Sequence, residues 1–310
     1  MKKAPIYLIF CLVCAVFGTT FLAIKLGVSA GAPPFLFAGL RFTAAGLILG
    51  LGLVAAGRAR PRDFLDLVPR AALVSVFYIM ANFGATFWAE QYIDSGTAAQ
   101  IDAVNPLASA LLSALFLGRR FRPAHAAGLA LGFAGVWLIV RGASGGGGGD
   151  RMSLIASIVM LAGAVSMAGA SILFLRLFDD SVSPFAVNSL NMLFGGIGLL
   201  TLSAAAGERG FPMTAGALLP LLYLVVAGSL VGHSANLWLI RKAGPVFASS
   251  WSYASPVIAT AVGALVLGEE VSAWNVAGAV LTLSGVYVIA RAETRSAGAA
   301  KSRPSTKPAP

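Results

Sequence analysis

The feature that most constrains this chain is a succession of apolar runs, each about twenty residues long, parted by short polar clumps. A helix of roughly 20 apolar residues crosses about 30 Å of hydrocarbon. In lipid, every backbone N–H and C=O must find its partner within the segment, which favours helices. Ten such runs fit: residues 6–26, 35–56, 68–89, 96–117, 124–141, 153–175, 185–206, 216–240, 245–267 and 273–290. Little chain is left for a soluble domain. Composition agrees: 58% of residues are hydrophobic and 11% charged, against about 25% charged in a soluble domain. The reading is an all-α integral membrane protein with ten transmembrane helices. Lys2 and Lys3 before the first run also fit a signal peptide. That run is long and is needed to complete a five-helix half, so it reads as a retained helix.

The second half of the chain matches the first at a constant offset of 150 residues. Pro34-Phe35 corresponds to Pro184-Phe185, Gly46 to Gly196, Gly57 to Gly207 and Trp88 to Trp238. Pro106 corresponds to Pro256, Leu117-Gly118 to Leu267-Gly268, Gly135-Val136 to Gly285-Val286 and Arg141 to Arg291. Proline and tryptophan pairs in register rarely arise by chance, and a fixed period is the mark of a repeat. Five spans per half is an odd number, so the second half enters the membrane from the opposite side. The expected organisation is two inverted five-helix repeats, residues 1–144 and 152–291, joined by a Gly-rich external linker at 145–151. The glycine run lacks the Gly-Lys-Ser/Thr of a phosphate-binding loop. The tail, 292–310, is polar and rich in Pro, Ser and Lys, and is expected to be disordered and cytoplasmic.

Charge tests this topology independently. With both termini cytoplasmic, 17 of the 22 basic residues fall inside. They include Lys2, Lys3, Arg58, Arg119, Arg120 and Arg241. The other side receives Lys25, Arg41, Arg141, Arg151 and Arg209. This is the cytoplasmic bias of Lys and Arg in short loops. The net charge of +10 is therefore topogenic, facing an anionic inner leaflet, and no nucleic-acid partner is expected. The location is the inner membrane, and the direct partner is the lipid bilayer.

The stretches NPLASALLSALFLGRRFRPAHAAGLALGFAGVWLIVR, SPVIATAVGALVLGEEVSAWNVAGAVLTLSGVYVIAR and FGTTFLAIKLGVSAGAPPFLFAGLRF resemble helices four to five, nine to ten and one to two of the EamA-type drug/metabolite transporter superfamily. The resemblance covers about residues 6–291. It implies an exporter of amino acids or related amphiphilic metabolites, with coupling to protons. It does not fix the substrate. The chain departs from the pattern at Gly118-Arg119-Arg120, where Gly-Glu is usual, so no role for an acid carries over there.

Inverted repeats place the solute near the midplane, between the halves, where helices are broken. Pro106 in span 4 and Pro256 in span 9 each remove a backbone hydrogen bond and are the expected helix-breaking residues. The residues before them are polar: Gln100, Asp102 and Asn105 in one span, Trp251, Tyr253 and Ser255 in the other. Asp102 is the sharpest candidate, because a carboxylate inside a membrane is costly unless paired or hydrated. Arg41 lies at a similar depth from the same face, so the two are expected to pair or to share one aqueous vestibule. Asn82 on span 3 and His233 and Asn236 on span 8 complete the expected cavity. For each, the plainer alternative is a packing or helix-bridging role: a structural ion pair for Arg41 and Asp102, a packing kink for the prolines. Lys25 reads as an anchor near the outer end of span 1.

No catalytic set, cofactor motif or metal-ligand cluster is evident. Asp102 and His233 cannot make a metal site unaided, and Cys11 and Cys14 read as packing residues. Glycines on spans 5 and 10 favour close helix contact within one chain, with a weak homodimer as the alternative to a monomer. A carrier with alternating access is therefore the leading reading. A membrane scaffold or receptor and an intramembrane enzyme are the alternatives.

Overall fold

The computed structural model describes residues 4–118, 123–143, 151–179, 182–243 and 251–301. The glycine run, the Arg119-Arg120 turn and residues 302–310 lie outside these. Among the described residues every regular element is helical. Among the described residues, eight helices are long and apolar enough to cross a membrane. They are α1 (Ala4–Ser29), α2 (Pro34–Ala55), α3 (Val68–Ala89), α4 (Ser95–Phe116), α5 (Pro123–Arg141), α6 (Arg151–Leu177), α7 (Pro184–Ala205) and α8 (Ala215–Leu239). Among the same residues there are two shorter apolar helices, α9 (Trp251–Leu267) and α10 (Ala273–Ile289). At 1.5 Å per residue, α9 reaches about 25 Å. The outer surface carries large apolar side chains such as Leu8, Leu51, Leu115 and Leu265, as an apolar solvent requires.

The last helix, α10, is described as far as Lys301. The segment after Arg291 is rich in Ala with interspersed Arg, Glu and Lys, which are strong helix formers. An established helix therefore propagates past the apolar stretch.

Helix ends obey local chemistry. Pro34 and Pro184 open α2 and α7, where the missing N–H leaves no bond unmade. Gly57 and Gly207 stop the same helices, and Gly118 and Gly268 stop α4 and α9, all four with φ between 63° and 73°. That left-handed conformation suits glycine alone at low cost. Each pair is separated by the offset of 150.

The tightest helix pairs are α2 with α7 and α5 with α10. Glycines set both. A Cβ on Gly46 would strike the backbone of Leu193, and one on Gly196 would strike the backbone of Thr43. A Cβ on Gly135 would lie 2.6 Å from the carbonyl of Gly278, and one on Gly278 would lie 2.6 Å from that of Gly135. Gly128 and Gly285 confront each other's carbonyls in the same way. Adding 150 to one partner returns the other contact of the same pair. Likewise, α1 packs on α9 as α6 packs on α4, and α3 packs on α6 as α8 packs on α1. Both α3 and α8 contain a π-helical stretch, Val76–Ala81 and Leu224–His233. Such stretches rotate the remainder of the helix about its axis and gather at functional sites.

Candidate functional site

The π-helical stretch of α3 ends just before Asn82, and that of α8 ends on His233. Both residues line an interior cavity of about 100 Å³. Arg41 of α2, Asp102 of α4, Asn236 of α8 and Trp251 of α9 line it too. Six residues singled out from sequence thus meet around one space, although they come from five different helices.

Arg41 is 1% exposed. Its guanidinium lies over Phe42, Phe83 and Phe87, with ring centroids 4.6, 5.4 and 5.8 Å away. Nε donates to Ser229 Oγ at 3.1 Å. Gly228 leaves room for the head group, since a Cβ there would lie 3.1 Å from Nη2. Nη1 has no hydrogen-bond partner among the described residues, and Asn236 Oδ1 is also unpartnered there. Arg41 and Asp102 share the cavity wall, and among the described residues no ion pair joins them. Phe17, which also lines the cavity, packs edge-on against His233 at 5.4 Å and against Trp251 at 4.6 Å.

A second cavity, of about 80 Å³, adjoins the first and shares Asp102, Met167 and Trp251 with it. Asn105, Pro106, Ser255 and Pro256 line it. Helix α4 is interrupted at Ala103 and Val104, just before Pro106. Without an N–H, Pro106 leaves the Asp102 carbonyl without its helical donor. Pro256 does the same to the Ser252 carbonyl but lies inside the described helix Trp251–Leu267. Ser255 Oγ is buried and unpartnered among the described residues. Asn105 is committed to Ala164, whose carbonyl accepts from Nδ2 at 3.1 Å.

Two expected cavity residues are placed elsewhere. Gln100 is buried and donates to Thr260 Oγ1 at 3.1 Å, bracing α4 against α9. Tyr253 donates to the carbonyl of Val286 at 3.2 Å, bracing α9 against α10. A polar residue inside a membrane must find a partner, and a neighbouring helix satisfies that need as well as a solute does. Sequence reasoning missed Phe17, Thr20, Phe21, Ile24, Tyr78, Phe83, Thr86 and Met167 on the cavity wall. An apolar or aromatic residue in an apolar helix carries no mark of which face it takes.

A second polar cluster closes one end of the bundle. Lys25 of α1 donates to the carbonyls of Glu90 and Ile93, each at 2.8 Å. Lys25 is thus tied to the α3–α4 connection, a more specific anchor than an interfacial side chain. Glu269 accepts from the N–H groups of Ser95 and Gly96 at 2.8 and 3.3 Å and from the Ser95 hydroxyl at 2.8 Å. Glu208 accepts from the N–H groups of Phe35 and Leu36 at 3.2 and 2.8 Å. Each glutamate satisfies the free donors at a helix N-terminus and complements its dipole. Glu90 is fully buried, and neither carboxylate oxygen has a hydrogen-bond partner among the described residues. Burial pushes its carboxyl well above the usual carboxylate range; Lys25 and Arg41 oppose the shift and Glu269 adds to it. Burial, reinforced by Glu269 and opposed by Lys25, also raises Asp94. No group of three or more His, Cys, Asp or Glu stands together as a metal site among the described residues.

Comparison with known proteins adds a family. The model of the EamA-like transporter family matches the chain twice, over residues 4–141 and 154–291. The inner membrane transporter YedA of Escherichia coli K12 is 32% identical over 262 residues, spanning 83% of this chain and 81% of that protein. A probable amino-acid metabolite efflux pump of the same organism is 26% identical, over 89% of this chain and 92% of that protein. A solved crystal structure superposes with a TM-score of 0.64 at 22% identity, covering 95% of this chain and 99% of the other. That likeness speaks to the fold.

Proposed function

Because the chain belongs to the EamA-like transporter family, we propose that it exports small metabolites, amino acids or related amphiphilic solutes, by alternating access. In this reading ten helices form two inverted five-helix repeats, 1–144 and 152–291, with both termini cytoplasmic. The reciprocal glycine contacts of α2 with α7 and α5 with α10 support the two-fold relation. The double family match supports the repeat.

The observation that carries the functional reading is the pairing of unspent groups in one cavity. Arg41 offers a free Nη1 donor, and Asp102 offers a carboxylate across the same space. The aromatic rings of Phe17, Phe21, Tyr78, Phe83 and Trp251 line the same cavity. A zwitterion with a compact apolar side chain satisfies all three, its carboxylate meeting Arg41 and its ammonium meeting Asp102. Binding would bring each charge a partner that the empty cavity does not supply, which is how a solute shifts a carrier between states.

The test is reconstitution into liposomes with a panel of metabolites, with and without a proton gradient. The expected result is saturable, gradient-dependent flux of zwitterionic solutes, falling at least tenfold in Asp102→Asn. Normal flux in a folded Asp102→Asn protein would remove Asp102 from the mechanism. Absence of flux for every solute would favour a scaffold or receptor.

A further inference from the structure

The end of the molecule that carries Lys25, Glu90 and Ser95 is sealed over the central cavity. Thr86 and Asp102 line the cavity. Beyond them, Phe87, Glu90, Ile93, Ser95 and Ile101 are at most 3% exposed. Two of the contacts that close this end cross from one proposed repeat to the other. Glu269, between α9 and α10, holds the N-terminus of α4. Glu208, between α7 and α8, holds the N-terminus of α2. The fold makes room for the first. A Cβ on Gly263 would strike the Glu269 carboxylate and lie 2.7 Å from Ser95 Oγ. A Cβ on Gly96 would lie 2.9 Å from Thr260.

The offset of 150 exposes an asymmetry in this arrangement. The counterpart of Glu208 is Arg58, and the counterpart of Glu269 is Arg119. Arginine has no acceptor to offer a helix N-terminus, and its charge opposes the positive end of the dipole. Arg58 is exposed; Arg119 lies outside the described residues. One end of the molecule therefore carries two acidic caps that reach across the repeats, and the same two registers in the other repeat carry cations. Those arginines also serve the topology, so charges that orient the chain can bias its conformation as well.

We infer that Glu208 and Glu269 form a paired latch that holds this end of the carrier closed at rest. The inference rests on the alternating-access reading, in which the latched end faces outward. Rocking the second repeat away from the first must withdraw both carboxylates from their helix N-termini together. The outward-open state is then the less populated one until a solute offsets the loss.

A cysteine reporter tests this without any solute. In a background with Cys11→Ser and Cys14→Ala, Thr86→Cys places a thiol on the cavity wall beneath the seal. Its rate of reaction with a membrane-impermeant maleimide is measured in right-side-out and inside-out vesicles. Glu208→Gln and Glu269→Gln should each raise labelling from the latched side at least fivefold, and together by more. Glu269→Asp, with charge kept and reach shortened, should fall between. Rates within twofold of the parent in both single variants and the double variant, all eluting as folded protein, overturn the latch. If Glu269→Gln fails to fold, Glu208→Gln decides alone. Faster labelling, with no flux of any solute by protein that keeps Thr86, keeps the latch and removes the carrier reading. Flux with unchanged labelling does the reverse. Acceleration seen only from the cytoplasmic side keeps the latch and reverses the assigned orientation.

Discussion

Arg41 concentrates the chemistry of the cavity in one side chain. A buried guanidinium is costly in an apolar medium, and here three phenyl rings and one hydroxyl offset part of that cost. The fork shape allows this division of labour: the flat face stacks, Nε bonds Ser229, and Nη1 stays unpartnered among the described residues. Lysine keeps the charge but has neither the face nor the fork. Arg41→Lys is therefore expected to fold and to raise the half-saturating solute concentration at least tenfold in liposome flux. An unchanged value would place the solute elsewhere. Glu90 makes a separate prediction. Its carboxyl is raised from an ordinary value of 4.5 by burial, so the folded state holds a proton that the unfolded chain gives up sooner. The resulting stability is complete below about pH 4.5 and is lost as pH rises through the folded value. The groups facing it are Lys25 on α1, Arg41 on α2 and Glu269 before α10. Thermal unfolding in detergent should show the parent losing stability from pH 4.5 upward. Glu90→Gln should give a flatter curve and at least equal stability at pH 8. Parallel curves would mean that Glu90 titrates normally.

At the scale of the element, glycine decides which helices can meet. Without Cβ atoms, α5 and α10 bring their backbones into contact over two turns, at Gly128 with Gly285 and Gly135 with Gly278. Dispersion and close packing drive association in lipid, where burial of apolar surface contributes little. A side chain at the crossing cannot be absorbed by rotamer adjustment, because the opposing atoms are backbone. Gly135→Leu should destabilise the protein by about 1–3 kcal/mol, read as a lowered unfolding temperature in detergent. Gly52 on α2 meets nothing within 4 Å. Gly52→Ala should be neutral or stabilising by up to about 1 kcal/mol. Equal effects at the two sites would refute the packing account. The interruption of α4 before Pro106 belongs to the same scale. It places a carbonyl and a carboxylate of one residue, Asp102, where an unbroken helix would have spent the carbonyl on its own ladder.

For the whole molecule, the tight pairs join the first half of the chain to the second. Helix α2 completes itself on α7, and α5 on α10. Neither half can satisfy its small-residue faces alone. Expression of residues 1–144 without the rest should therefore yield little detergent-stable protein. Co-expression with residues 145–310 should restore a complex that co-purifies and unfolds in one transition. A stable, isolated first half would contradict the interdependence. The cavity takes its wall from both halves of the chain: α1, α2, α3 and α4 from the first, α6, α8 and α9 from the second.

Several features were legible in the chain before any coordinates. The lengths of the apolar runs, the offset of 150 and the lopsided distribution of Lys and Arg come from rules that act along the sequence. These are the thickness of hydrocarbon, the register of a duplication and the charge of a leaflet. Pro34, Gly57 and their partners 150 residues on stood out in the sequence as a repeat, and the structure shows them opening and closing helices. Asp102, Arg41, Asn82, His233, Asn236 and Trp251 stood out because polarity in an apolar helix demands an explanation. Tertiary structure decided which explanation applied. It turned Gln100 and Tyr253 toward neighbouring helices and gathered Phe17, Phe83 and Met167 on the cavity wall. It set Glu208 and Glu269 on the ends of helices far away in the chain. Those outcomes depend on the rotation of each helix about its own axis and on contacts across more than 150 residues. The pattern of a single apolar helix, hydrophobic all round, carries no moment that could announce them.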